Sequence, residues 1–221
     1  MKKLFISIFI LFGYFGYGQI DKYVDSISSE LKYRKLEQLW YTNYYSENDN
    51  LSLFVYYDLG PNKTKQFNKN NGVGTFFEDK RLTHSLCKFY KNSGIDRGHL
   101  YNAEDASFNF ISFHSSYLIT NATPQKIEFN RGVWKRLEKS IRDIAKTDDL
   151  FIITGCDLYQ ETNLRKLGII TIPNYYFKIV INLTKNTTNI YYLKNGSSNK
   201  LLSKFLITKE NFGKYTGIYL K

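Results

Sequence analysis

Cysteine is nearly missing from this chain: its 221 residues hold only two, Cys87 and Cys156. There is no Cys-x-x-Cys and no cluster of cysteine with histidine, which excludes a thiolate-bound structural zinc. In an exported chain the two thiols allow a single intramolecular bridge, and two buried free thiols fit the sequence equally well. Acidic side chains are also scarce. Twenty Asp and Glu stand against 31 Lys and Arg, a formal charge of +11. Such a surface favours a polyanionic partner, although charge alone fits a generically basic protein too. No repeat, low-complexity stretch or interdomain linker is present, so one domain with a real core is the natural reading at this length.

Long apolar runs are missing as well. The run from Leu4 to Phe12 is short for a bilayer span and is softened behind by Gly13, Gly16 and Gly18. With Lys2 and Lys3 ahead of it and Gly16-Tyr17-Gly18 after it, it reads as an export signal cleaved near Gly18–Gln19. The expectation is a signal peptide at 1–18 and a single domain at 19–221. The mature chain would be secreted or periplasmic, with no stable membrane association once the signal is removed. No cysteine lies near the cleavage point to carry a lipid.

Aromatic residues are plentiful. They make up 17% of the chain, with 19 Tyr and 17 Phe, and half-buried strands suit a ring with a wet hydroxyl. Leu51 to Tyr57 reads as a strand, ended by Gly60-Pro61-Asn62. Leu150 to Gly155, Gly168 to Thr171, Tyr175 to Leu183 and Asn189 to Leu193 read as four more, with a turn at Lys185-Asn186-Thr187. Val24, Ile27 and Leu31 recur at helical spacing and predict a short helix within 21–39. Val133 to Ile144 predicts a second helix, with Trp134, Leu137, Ile141 and Ile144 on one stripe and Glu138 and Arg142 on its flank. The fold class expected is α+β: a central antiparallel sheet with flanking helices.

Two blocks carry chemistry. The first is Asp96-Arg97-Gly98-His99, a histidine that moves protons near neutral pH beside an arginine suited to phosphate. The second runs from Thr120-Asn121-Ala122-Thr123-Pro124-Gln125 to Asn130-Arg131-Gly132-Val133-Trp134-Lys135-Arg136-Leu137-Glu138. Each residue also has a plain structural reading. His99 could be a satisfied core histidine, Asn121 a turn residue before a proline, Asn130 a helix N-cap, and Glu138 with Arg142 a surface i, i+4 ion pair. Asp96 reads as structural, bonding loop backbone. His84 and His114 lack comparable context and read as ordinary surface histidines, and Gly72-x-Gly74 is too short for a phosphate loop.

Together the blocks resemble the DNA/RNA non-specific endonucleases, of the ββα-metal type, over roughly 50–205. The resemblance implies a ββα active-site motif and a metal-dependent endonuclease that hydrolyses DNA and RNA with little sequence preference. It implies His99 as general base and Asn130 as ligand of a divalent cation, Mg²⁺ or another such as Mn²⁺. Glu138 would orient water, Arg142 and Arg97 would face phosphate, and Asn121 would lie near the active centre. Two departures stand out. After the histidine the family continues with a Leu-Ala-Pro-Ala-like stretch, where this chain has Leu100-Tyr101-Asn102-Ala103-Glu104-Asp105. The family arginine ahead of a Phe-x-x-Asp segment is missing before Phe76-Phe77-Glu78-Asp79, and neither Lys69 nor Arg81 is assigned to replace it. Two other readings stay open: a nucleic-acid-binding homologue with impaired catalysis, and a metal phosphodiesterase for small molecules.

Overall fold

The computed structural model describes residues 20–65, 74–159 and 163–221. The expected export signal lies outside the described residues, as do Lys69 and Gly72. Among the described residues no helix is long and apolar enough to cross a membrane.

Among the described residues, twelve strands and four α-helices follow one another. They are β1 (Val24–Ile27), β2 (Arg34–Glu37), β3 (Thr42–Ser46), β4 (Leu51–Leu59), α1 (Cys87–Tyr90), β5 (Ile95–His99), α2 (Phe110–Ser116) and β6 (Ala122–Lys126). After a π-helical turn at Phe129–Trp134 come α3 (Lys135–Ala145), β7 (Leu150–Asp157), β8 (Lys166–Leu167), β9 (Ile170–Thr171), β10 (Tyr175–Asn182), β11 (Thr187–Lys194), α4 (Lys209–Thr216) and β12 (Ile218–Leu220). Six strands form the central antiparallel sheet in the order β11-β10-β7-β4-β3-β2. The expected α+β architecture is therefore present.

Strands β4, β7 and β10 read as nearly continuous apolar runs because both faces of the sheet are covered. One face carries Val55, Tyr57, Ile152, Tyr176 and Val180, packed against Trp134, Leu137 and Ile141 of the π turn and α3. The other carries Phe54, Phe151, Ile153, Phe177 and Ile179, packed against Phe212 of α4. Buried tyrosines on the first face find partners for their hydroxyls: Tyr57 donates to Asp105 Oδ2 at 2.8 Å and Tyr176 to the Pro124 carbonyl at 2.8 Å.

Three local expectations are corrected. The helix predicted within 21–39 is instead β1 and β2, because these segments pair with β12 and β3 and that pairing overrides the helical spacing of three apolar residues. Gly168 is not in a strand but in the turn of the β8–β9 hairpin, at φ +61°. Asp96 bonds side chains rather than loop backbone. The two cysteines are free thiols, and His84 and His114 are exposed.

Candidate active site

Strand β5 pairs antiparallel with β6, setting Asp96 opposite Gln125, Arg97 opposite Pro124 and His99 opposite Ala122. The chain then enters the π turn and α3, so two strands and a helix form one unit. Gly98 is required here: a Cβ at this position would lie 2.0 Å from the side chain of Gln125. Only glycine lets the neighbouring strand's side chain cross so close.

His99 ends β5. Its ring centroid is 4.4 Å from that of Phe76 and 4.8 Å, edge-on, from that of Tyr117. The residue as a whole is half-buried, but Nε2 is sealed off and has no hydrogen-bond partner among the described residues. Burial pushes its pKa down to about 3, because no nearby anion compensates the lost hydration of an imidazolium.

Asp96, on the same strand, ties down the second block. Its Oδ2 accepts from Asn130 Nδ2 at 2.9 Å and from Arg131 Nε at 2.9 Å, and its Oδ1 accepts from Arg131 Nη2 at 2.8 Å. Burial raises the Asp96 pKa, but the bonds from Arg131 and Asn130 outweigh it and hold the carboxyl below its usual range. Asn130 lies inside the π turn rather than at a helix N-cap. The turn is broken by Gly132 at φ −104° and ψ −109°, backbone angles outside the helical region. With its NH₂ committed to Asp96, Asn130 offers Oδ1 as a neutral oxygen donor. Among the described residues no three His, Cys, Asp or Glu gather as a metal-binding cluster.

Asn121 is fully buried with its amide saturated. Oδ1 accepts from the Tyr101 amide at 2.8 Å, and Nδ2 donates to the Tyr101 carbonyl at 2.8 Å and the Ser116 carbonyl at 2.7 Å. It clamps the loop after His99 against the start of β6. Arg97 points the other way: Nη2 donates to the Cys87 carbonyl at 3.0 Å, and the guanidinium lies 5.3 Å from the centre of the Tyr90 ring.

Glu138 and Arg142 do not form the surface ion pair of their plain structural reading. Arg142 turns to the loop after His99, with Nη1 donating to Asp105 Oδ1 at 2.9 Å and Asn102 Oδ1 at 3.1 Å, and Nη2 meeting Glu104 Oε2 at 2.5 Å. Asn102 Oδ1 also accepts from the amides of Glu104 and Asp105. The segment that departs from the family pattern is thus held by its own polar bonds. Glu138 is buried rather than on the border, and its Oε1 lies 3.6 Å from Lys178 Nζ. Burial raises its pKa, and the nearby Lys178 works against that shift. Lys178 was invisible to motif reading, since it sits in a strand picked out only by apolar composition. Arg81, upstream of the motif, is bound to Asp79 at 2.8 and 2.5 Å.

Beside this unit lies a cleft of about 470 Å³. Arg131, Lys135, Arg136, Lys139, Arg142 and Lys146 line it together with Glu104 and Asp143. The outward face of α3 is therefore a basic wall next to the π turn.

The chain is similar to several known nucleases. It is 32% identical over 102 residues to a nuclease of Nostoc, covering 46% of this chain and 35% of that protein. It is 31% identical over 138 residues to a nuclease of Serratia marcescens, covering 57% and 50%. The matched stretches thus span between a third and a half of those relatives. A solved structure described as a complex of EndoG with EndoGI, on the mechanism of EndoG inhibition, shares the fold with a TM-score of 0.74 at 20% identity, covering 85% of each chain. The model of the DNA/RNA non-specific endonucleases matches residues 19–221, and the chain belongs to that family.

Proposed function

We propose that this chain is a metal-dependent endonuclease that hydrolyses phosphodiester bonds of DNA and RNA with little sequence preference. The observation that carries the reading is the Asp96 bridge. It ties the oxygen donor Asn130 to the strand that ends in His99, beside a wall of arginines and lysines.

His99 would take the proton from an attacking water. Its low pKa keeps the imidazole neutral at physiological pH, and with Nε2 sealed off, Nδ1 would present the accepting lone pair. A bound phosphate anion would stabilise the imidazolium and raise that pKa toward a working range. Asn130 Oδ1 fits a hard cation such as Mg²⁺, which takes oxygen ligands and retains several waters; one neutral protein ligand suits it, with substrate phosphate supplying charge. The cation would stabilise negative charge on the phosphoryl oxygens and the leaving oxygen. Arg142, on the edge of the basic cleft, would exchange its bonds to Glu104 for a phosphate oxygen. Glu138 would orient the water, and Asn121 would hold the loop behind His99 in place. Arg97 lies against Tyr90 and Cys87, where it would steady the strand rather than reach substrate.

Low sequence preference follows from the same surface. Lysine and arginine on phosphates fix a strand without reading its bases. The export signal expected at 1–18 would place this action outside the cytoplasm, in the periplasm or beyond. Purified protein incubated with plasmid and with RNA, in Mg²⁺ and then in a chelator, tests the reading. Cleavage of both polymers only in metal is expected. Retardation without cutting would favour a binding protein, and inactivity on both would point to a small substrate.

A further inference from the structure

Lys178 breaks the pattern of its strand. In β10 the alternate residues Tyr176 and Val180 belong to the apolar layer between the sheet and α3, and Lys178 stands between them. It is opposite Thr154 on β7 and Tyr191 on β11, deep in the sheet, and only 1% exposed. Its ammonium sits 4.8 Å from the centre of the Trp134 ring and has no hydrogen-bond partner among the described residues. The nearest opposite charge is Glu138 Oε1 at 3.6 Å, just beyond hydrogen-bond length.

Burying an ammonium this way is costly, and an apolar side chain would fill the position more cheaply. Stability therefore does not explain the lysine. The groups facing Glu138 do. Arg142 lies one turn along α3. Asp105 and Asn102 approach from the loop after His99, and the Tyr57 hydroxyl from β4, bound to Asp105. Arg142 is already committed to Asp105 and Glu104. Without Lys178, two buried carboxylates would share one guanidinium, and Glu138, which lacks the bonds that Arg142 and the Tyr57 hydroxyl give Asp105, would take up a proton.

We propose that Lys178 is a positioning residue: its buried ammonium, reaching across from the sheet, keeps Glu138 an oriented carboxylate able to accept a hydrogen bond from water. The inference rests on the nuclease reading of Glu138. Burial alone lowers the Lys178 pKa and raises that of Glu138, and each partner opposes the shift of the other.

The variants K178M, E138Q and K178M/E138Q decide the matter. In K178M the acidic limb of the pH–rate profile should move up by about 1–3 pH units, with activity lost near neutrality and recovered in alkali. E138Q should be impaired at every pH with no alkaline recovery. The double variant should be no slower than E138Q, because Lys178 acts only through Glu138. A K178M profile of unchanged shape, or a uniform loss at all pH values, would overturn the inference. So would a double variant slower than E138Q, and that comparison survives even if K178M fails to fold, since no unpaired buried charge is left in it. Titrating the carbon-13 carboxyl resonance of Glu138 without substrate provides a readout independent of cleavage. If the wild-type protein cuts neither DNA nor RNA, the nuclease reading fails, while an upward shift of that titration midpoint in K178M still supports the role of Lys178 and an unmoved midpoint removes it.

Discussion

The two faces of the central sheet are built differently. The face toward α4 is mostly apolar, with Phe54, Phe151, Phe177, Ile179 and Phe212 meeting in one cluster and Asp157 at its edge held by the Tyr192 hydroxyl. The face toward α3 is also packed but admits a group of charges: Lys178, Glu138, Asp105 and Arg142. A face that only needs to be dry can be filled with rings and branched chains. The other face tolerates buried charge because it supports the candidate site, and it satisfies that charge almost entirely with opposite charge.

Substitutions that separate stability from chemistry sharpen this contrast. Phe177→Ala on the apolar face removes a fully buried ring that meets Phe212 at 4.9 Å. It should cost about 3–5 kcal/mol of stability while leaving cleavage per folded molecule unchanged, as read by denaturant unfolding beside an activity assay. A comparable loss of specific activity would mean that both faces serve the site. Asp96→Ala frees the Asn130 amide and should weaken divalent-cation affinity about 10–100-fold, measured by Mg²⁺ titration of the cleavage rate. Unchanged affinity would separate Asn130 from the metal.

A further effect is expected in acid. Above pH 6.5, the ordinary histidine value, His99 is neutral in both the folded and the unfolded chain. As pH falls from there toward about 3, the unfolded chain binds a proton that the folded site refuses, so stability declines across that window. His99→Asn should flatten this part of the thermal-unfolding curve against pH. A decline as steep as in the wild type would assign the acid sensitivity to other groups.

Much of this was legible in the sequence, unevenly. The strands at 51–57, 150–155 and 175–183 announced themselves because sheets covered on both faces need continuous apolar runs. β1 and β2 did not, since pairing with distant strands is not encoded in local spacing. His99 and Asn130 could be named from their motifs, but the contact that joins their two elements, Asp96 to Asn130, spans segments far apart in sequence. The destination of Arg142 was hidden for the same reason: its partners lie in the loop after His99, not one turn away on its own helix. Lys178 was hardest to foresee, because a lysine in a strand normally signals a solvent-facing position, and only the packing of α3 over β10 makes it internal.

The most direct test is cleavage of plasmid DNA and RNA in Mg²⁺ by His99→Ala beside the wild type, with circular dichroism to confirm the fold. If His99 is the base, cleavage should slow by about 10²–10⁴-fold in a protein that remains folded. A folded His99→Ala protein that cuts at the wild-type rate would contradict the assignment.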